Sequence, residues 1–170
     1  NLLTIDPNNK EQLVNIYEHA KKEKIFFESF FVEPVMGEGN PGVMLDPEFY
    51  ELARKLTLEN DSMLVCDSIQ AGIRGQGCLS IVDYPGYQEL AAPDMETYSK
   101  ALNAGQYPLS ILALTKRAAD LYKTGIYGNT MTTNPRALDV ASAVLDSITP
   151  KLRQNIVNQG KSFVAKLKEL

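Results

Sequence analysis

The sequence has no tryptophan, one histidine and two cysteines. The histidine, His19, falls in an amphipathic helical pattern far from every other chemistry-bearing segment, which removes Ser-His-Asp and histidine-metal proposals. Two cysteines are too few for a disulfide framework, and neither has the close partners of a zinc site, so no metal site is expected. Cys66 and Cys78 instead read as reduced thiols of a cytosolic-type protein, with Cys66 a small core residue in an apolar run. No apolar stretch approaches the roughly 20 residues that span a bilayer, so no membrane partner is expected. Asn1-Leu2-Leu3 lacks a basic region followed by an apolar one, so no signal peptide is visible, and a chain opening on Asn is expected to be processed or cut from something longer. The net charge of -4 argues against non-specific nucleic-acid binding. Neither G-x-G-x-x-G nor G-x-x-x-x-G-K-S/T occurs, which ranks a plain nucleotide-binding module low.

What is present is a chain of 170 residues, long enough for one domain with a core of its own. Helical and strand patterns alternate, which favours an α/β fold. Asp6-Pro7 opens a first helix with Leu13, Ile16, Tyr17 and Ala20 on one face. Ile25 to Val35 reads as a buried strand, followed by a loop rich in Gly and Pro. Asp46-Pro47 starts a second helix with Phe49, Leu52, Ala53 and Leu56 on one face. Met63 to Cys66 is a strand ending at Asp67, and the strand-helix-strand order implies a parallel pair.

Turns follow around Gly72 to Gly77 and at Asp83 to Gly86. Met95 to Tyr98 is a strand ending just before Lys100, and Leu109 to Leu114 is another. The link between these two is too short for a crossover helix, so they are expected to be antiparallel. Thr115 to Tyr122 is a short helix closed by Gly125. Asn134-Pro135 and Thr149-Pro150 begin the last two helices. The final one carries an apolar stripe of Leu152, Ile156, Phe163 and Leu167, which needs a surface to pack on.

In open α/β sheets, ligands bind beyond the carboxyl ends of the strands. Three strand ends here carry Glu33 and Glu38, then Asp67 and Gln70, then Lys100. An amine and a carboxylate on one sheet edge suit pyridoxal phosphate. That cofactor needs a lysine for its Schiff base and an acid against its pyridine nitrogen. Taken alone, such a pair is more often a surface ion pair or solvated charges.

Four segments together resemble the class III pyridoxal-phosphate aminotransferases. Thr97-Tyr98-Ser99-Lys100-Ala101-Leu102-Asn103-Ala104-Gly105 is similar to the region of the Schiff-base lysine. Glu33-Pro34-Val35-Met36-Gly37-Glu38-Gly39 matches an E-P-x-x-G-E-G loop. Asp67-Ser68-Ile69-Gln70-Ala71-Gly72 resembles D-E-V-Q-T-G, and Gly128-Asn129-Thr130-Met131-Thr132-Thr133-Asn134-Pro135 resembles G-x-T-x-x-x-N-P. They occur in the family's order and cover nearly all of residues 10–150. The nearest flavour is the ornithine and ω-amino-acid branch.

The resemblance implies a mixed, mostly parallel sheet with helices on both faces, the large domain of fold type I. Residues 1–150 would be part of that domain, and 151–170 a helix leading toward a small C-terminal domain. Lys100 would hold the cofactor as a Schiff base and shuttle the substrate's α-proton. Asp67 would pair with the pyridinium nitrogen, Gln70 with the ring's phenolic oxygen, and Val65 would pack on the ring, though Val65 serves equally well as core. Thr130 would bind the cofactor phosphate of a neighbouring subunit, in a homodimer with shared sites. Glu38 would gate the substrate site, and Glu33 would stand behind the residues that touch the cofactor and substrate. The reaction implied is transfer of an amino group from an amino donor to a 2-oxo acid, in the cytoplasm. Another pyridoxal-phosphate enzyme on this scaffold (aminomutase, racemase or decarboxylase) is the alternative, with a non-catalytic scaffold as a third reading.

Two departures stand out. Ser68 replaces the family's glutamate after the aspartate, and Arg74 sits one place earlier than the arginine of G-F-G-R-T-G. Enzymes of the family are more than twice this length. The chain is therefore expected to be a fragment that transaminates poorly by itself.

Overall fold

A computed structural model describes residues 2–126 and 132–170 of the chain. A four-stranded sheet organises it, with β1 (Ser29–Val32), β2 (Met63–Asp67), β3 (Met95–Tyr98) and β4 (Ile111–Leu114) in the order β1-β2-β3-β4. β1 and β2 run parallel, as do β2 and β3, while β3 and β4 are antiparallel. The mixed, mostly parallel sheet is the one expected, and the short link from Lys100 to Ile111 is the reason for the antiparallel pair.

Among the described residues, five α-helices accompany it: α1 (Lys10–Glu23), α2 (Pro47–Glu59), α3 (Lys116–Ala119), α4 (Pro135–Ser147) and α5 (Pro150–Leu167). α2 begins with Pro47 in its first turn, where a missing N–H costs nothing. Asn134 caps α4 by accepting from Arg136 N, and Thr149 caps α5 by accepting from Leu152 N.

Three expectations shift. α1 starts at Lys10 and not at Pro7, because Asn8 takes a positive φ of 62° and Asn9 accepts from Gln12 N as the true cap. Of the apolar run Ile25 to Val35, only Ser29–Val32 is strand. Ile25 and Phe26 precede the register with β2, have no ladder partner, and are exposed. α3 is one turn long, shorter than Thr115 to Tyr122.

The main core lies on one face of the sheet. Leu13 and Tyr17 of α1, Phe49, Tyr50 and Ala53 of α2, and Val32, Leu64 and Cys66 of the strands pack there with Ile81, Tyr84 and Tyr87. Each large side chain fully buried in this way contributes about 1.5–3 kcal/mol. A second cluster joins Tyr98 and Leu102 to Ile73 and to Ala141 of α4. α5 contributes no buried residue, and Phe163 and Leu167 of its apolar stripe are exposed.

Strand alternation assigns the other face. Cross-strand partners place Phe31, Val65, Met95 and Leu114 in one row across it, and Asp67, Thr97 and Leu112 in the next. Phe31 is 65% exposed there, and Leu112 and Leu114 are also exposed. This face is apolar, open, and bordered by a carboxylate.

Buried Asp94 locks the sheet to two helices. Its carboxylate accepts from Arg54 Nη1 and Nη2 at 2.6 and 3.2 Å, from Leu64 N at 2.9 Å and from Arg117 Nη1 at 3.0 Å. Burial alone would raise its pKa, yet these donors hold the carboxyl below the usual carboxylate range.

Candidate active site

The carboxyl ends of β1, β2 and β3 converge, as the parallel topology requires. Each contributes a segment that the sequence singled out.

The segment after β1 is a tight loop. Glu33 Oε2 accepts from Gly37 N at 3.0 Å, which folds the loop back on itself. Glu33 therefore acts on its own loop. Glu38 is exposed, and its side chain has no hydrogen-bond or ion-pair partner among the described residues. Gly37 lies against Gln70: a Cβ added at Gly37 would stand 2.7 Å from Gln70 Cγ. A side chain there would force Gln70 to shift.

β2 ends at Asp67, which is half-buried. Its Oδ1 accepts from Ile69 N at 3.0 Å and from Thr97 Oγ1 at 3.2 Å. Among the described residues, Oδ2 has no partner. Two donors thus orient the carboxylate and leave one oxygen open. Val65 shares its face, two residues back along the strand, and is buried. The turn then closes with Gly72 N donating to Ser68 O at 2.7 Å. A Cβ at Gly72 would stand 2.5 Å from that carbonyl, so the tight turn depends on glycine.

β3 ends at Tyr98, and the chain turns sharply at Lys100, whose φ is 38°. A positive φ at a non-glycine residue is strained, and such strain concentrates at functional sites. The exposed Lys100 amine donates to Gln70 Oε1, which joins the ends of β3 and β2. Thr97 pairs with Asp67 in the ladder, so Lys100 follows three residues beyond Asp67's strand neighbour.

A cavity of about 360 Å³ opens beside Asp67, lined also by Glu33, Met36, Phe31 and the stretch from Leu2 to Pro7. Of the singled-out residues, Asp67 and Glu33 line this cavity; the Lys100–Gln70 hydrogen bond and the Gly37–Gln70 contact join the three strand ends beside it, Val65 lies buried two residues before Asp67, and Glu38 is exposed at the rim of its loop. Thr130 lies outside the described residues. Sequence reasoning missed Thr97, although its position one strand-pair from Asp67 was the available signal. It also missed the stretch before Pro7, which carries no motif.

The residue set is selective about the ligand it suits. Among the described residues, no group of three or more His, Cys, Asp or Glu side chains is placed to hold a metal ion. A carboxylate with one oxygen committed and one open, an amine, and a glutamine amide suit a protonated ring nitrogen, a carbonyl carbon and a ring oxygen. Those are the polar features of the pyridoxal ring.

Comparison with solved structures points first to a class of protein. Ornithine δ-aminotransferase of Plasmodium falciparum superposes with a TM-score of 0.79 at 26% identity, over 98% of this chain and 42% of that one. Acetylornithine aminotransferase of Elizabethkingia anophelis gives 0.79 at 27% identity, over 98% and 40%. The fold is that of the aminotransferase large domain. At sequence level, ornithine aminotransferase of Geobacillus sp. is 33% identical over 144 residues, covering 84% of this chain and 35% of its own length. Acetylornithine aminotransferase of Xanthomonas axonopodis pv. citri is 35% identical over 141 residues, covering 82% and 33%. The chain spans about a third of the length of the curated relatives it matches. The profile of aminotransferase class-III matches residues 5–170. The chain belongs to the class III aminotransferases, a family that works with pyridoxal phosphate.

Proposed function

We propose that this chain carries the cofactor-holding part of a pyridoxal-phosphate transaminase that moves an amino group from an amino donor to a 2-oxo acid. The observation that carries the reading is the convergence of Lys100, Gln70 and Asp67 at adjacent strand ends, on a scaffold of the class III fold. The ornithine and acetylornithine specificities of the relatives suggest an amino donor of that kind.

When bound, pyridoxal phosphate supplies an electron sink for the bond that breaks at the amino-bearing carbon. Lys100 would provide the amine that holds the cofactor covalently and would carry the proton at that carbon. Asp67 uses its open oxygen to keep the ring nitrogen protonated, and Thr97 and Ile69 N hold that carboxylate in place. Gln70 orients Lys100 before reaction and then serves the ring oxygen. Val65 offers an apolar surface beneath the ring. Glu33 shapes the loop that backs Gln70. Glu38 at the rim gates the substrate, and Thr130 binds a phosphate across a subunit boundary.

The same reading includes a homodimer with shared sites, for which family membership is the support. It divides the chain into a cofactor-domain portion, residues 1–150, and a connecting helix, residues 151–170. A cytoplasmic location is supported by two cysteines that are both free and buried. No helix of the described residues is long and apolar enough to cross a membrane.

The test is to add pyridoxal phosphate, reduce with borohydride and map the modified lysine by mass spectrometry, with Lys100→Ala alongside. Stoichiometric modification at Lys100, lost in the variant, is expected. Modification scattered over other lysines, unchanged in Lys100→Ala, would overturn the assignment.

A further inference from the structure

Glu96 is the one feature of the sheet that neither the core nor the proposed chemistry explains. It sits in the middle of β3, 5% exposed, on the face opposite Asp67 and Thr97. A carboxyl group in such a place is costly unless donors meet it. Three do. Oε1 accepts from Ser68 Oγ at 2.5 Å and from Ile81 N at 3.0 Å, and Oε2 accepts from Ser80 Oγ at 2.6 Å.

These donors come from two segments with different duties. Ser80 and Ile81 begin a short 3-10 turn that is separately pinned, because Asp83 Oδ2 accepts from Leu79 N and Ser80 N at 3.1 Å each. Ser68 belongs to the turn after β2. It lies directly after Asp67 and two residues before Gln70, and is 1% exposed. Its N–H donates to Thr97 O at 3.0 Å and its carbonyl accepts from Gly72 N. Ser68 is thus the buried pivot of the turn whose two ends present Asp67 and Gln70. The Glu96 carboxyl group is the partner of its side chain. Where the motif that this turn resembles carries a glutamate, here the serine borrows a carboxyl from the adjacent strand.

We propose that Glu96 is a positioning residue: through Ser68 it fixes the 67–72 turn so that Asp67 and Gln70 face the cofactor together. The inference rests on the cofactor reading above. It predicts an asymmetry between the two hydroxyl partners of the same carboxyl group. Ser68→Ala cuts the link to the site turn, and Ser80→Ala cuts the link to the other segment. Each removes a hydrogen bond to the Glu96 carboxyl group; Ser68→Ala also loses the 3.6 Å contact with Cys66 Sγ, and Ser80→Ala the bond its oxygen accepts from Val82 N at 3.4 Å.

The experiment compares the full chain with both variants by melting temperature, amide hydrogen exchange and titration with pyridoxal phosphate. Similar losses of melting temperature are expected. Ser68→Ala should speed exchange across residues 69–72 and weaken cofactor binding, each by about tenfold. Ser80→Ala should leave both as in the parent. Glu96→Gln, which keeps the size but leaves one uncharged acceptor oxygen where two charged ones served Ser68, Ser80 and Ile81 N, should loosen both segments. This variant serves if Ser68→Ala does not fold. Equal behaviour of the two serine variants at 69–72, or no loosening there with Glu96→Gln, would overturn the proposal and leave Glu96 a packing element. If the parent chain takes up no pyridoxal phosphate, the cofactor reading falls by itself, and exchange at 69–72 still decides whether Glu96 sets that turn.

Discussion

Gly37 and Gln70 are packed so closely that a single methyl group on Gly37 would stand 2.7 Å from Gln70 Cγ. The contact ties the loop after β1 to the turn after β2, and Gln70 in turn accepts from Lys100. Gly37→Ala is expected to push Gln70 off Lys100 at an overpacking cost of about 1–3 kcal/mol. Lys100 should then lose selectivity in the borohydride labelling, while the fold persists by circular dichroism. Unchanged labelling would show that Gln70 does not orient the amine.

Asp94 links stability to acid pH. Its folded pKa lies below the ordinary value because Arg54, Leu64 N and Arg117 outweigh the effect of burial. A depressed carboxylate contributes stability that is present above its unfolded pKa, about 3.9, and is lost as pH falls through the folded value. The parent should lose stability as pH falls below about 4. Asp94→Ala strands Arg54 and is expected to cost about 3–5 kcal/mol at neutral pH. It should also show a shallower acid decline in urea titrations.

Buried tyrosines link stability to alkaline pH in the same way. Burial pushes the Tyr84 phenol up to about 12 and raises Tyr50, Tyr87 and Tyr98 further still. Tyr87 also donates to Leu45 O, and Tyr50 to Ala91 O. A raised phenol pKa means that the unfolded chain ionises first. This stability is complete below the unfolded value of about 10 and is lost as pH climbs toward the folded values. Tyr84→Phe should flatten part of the decline above pH 10 while costing on the order of 1 kcal/mol at neutral pH. Absorbance at the phenolate band, followed with pH, checks the sequence of events.

Neither thiol should react in the folded protein. Burial, then the charge of Glu96, pushes the Cys66 thiol well up, and burial, then Asp83, raises Cys78. Thiolate is the reactive form, so both should resist iodoacetamide at neutral pH and label promptly in denaturant. Labelling of Cys66 in native protein as fast as in denaturant would show that the core around Leu64 and Tyr50 opens readily.

What the sequence by itself determined is what depends on neighbours along the chain. Pro47 behind Asp46, Pro135 behind Asn134 and Pro150 behind Thr149 announce helix starts, and the Asn134 and Thr149 side chains cap theirs. The brief link between β3 and β4 leaves only an antiparallel pairing. Strand ends at Asp67 and just before Lys100 were legible because the apolar runs stop there, and the motifs named the chemistry. Tertiary structure decided everything that needs a partner from elsewhere. Ile25 and Phe26 are as apolar as Phe30, yet only the residues in register with β2 became strand, because ladder bonds require a facing backbone. Glu96 reads as a polar interruption in a strand. Its burial became tolerable only when folding brought Ser68, Ser80 and Ile81 to it, from 28, 16 and 15 residues away in the chain. Asp94 likewise became a hub only when α2 and α3 delivered their arginines. A buried carboxyl group is stable only where its donors meet it, and that meeting is a property of the fold.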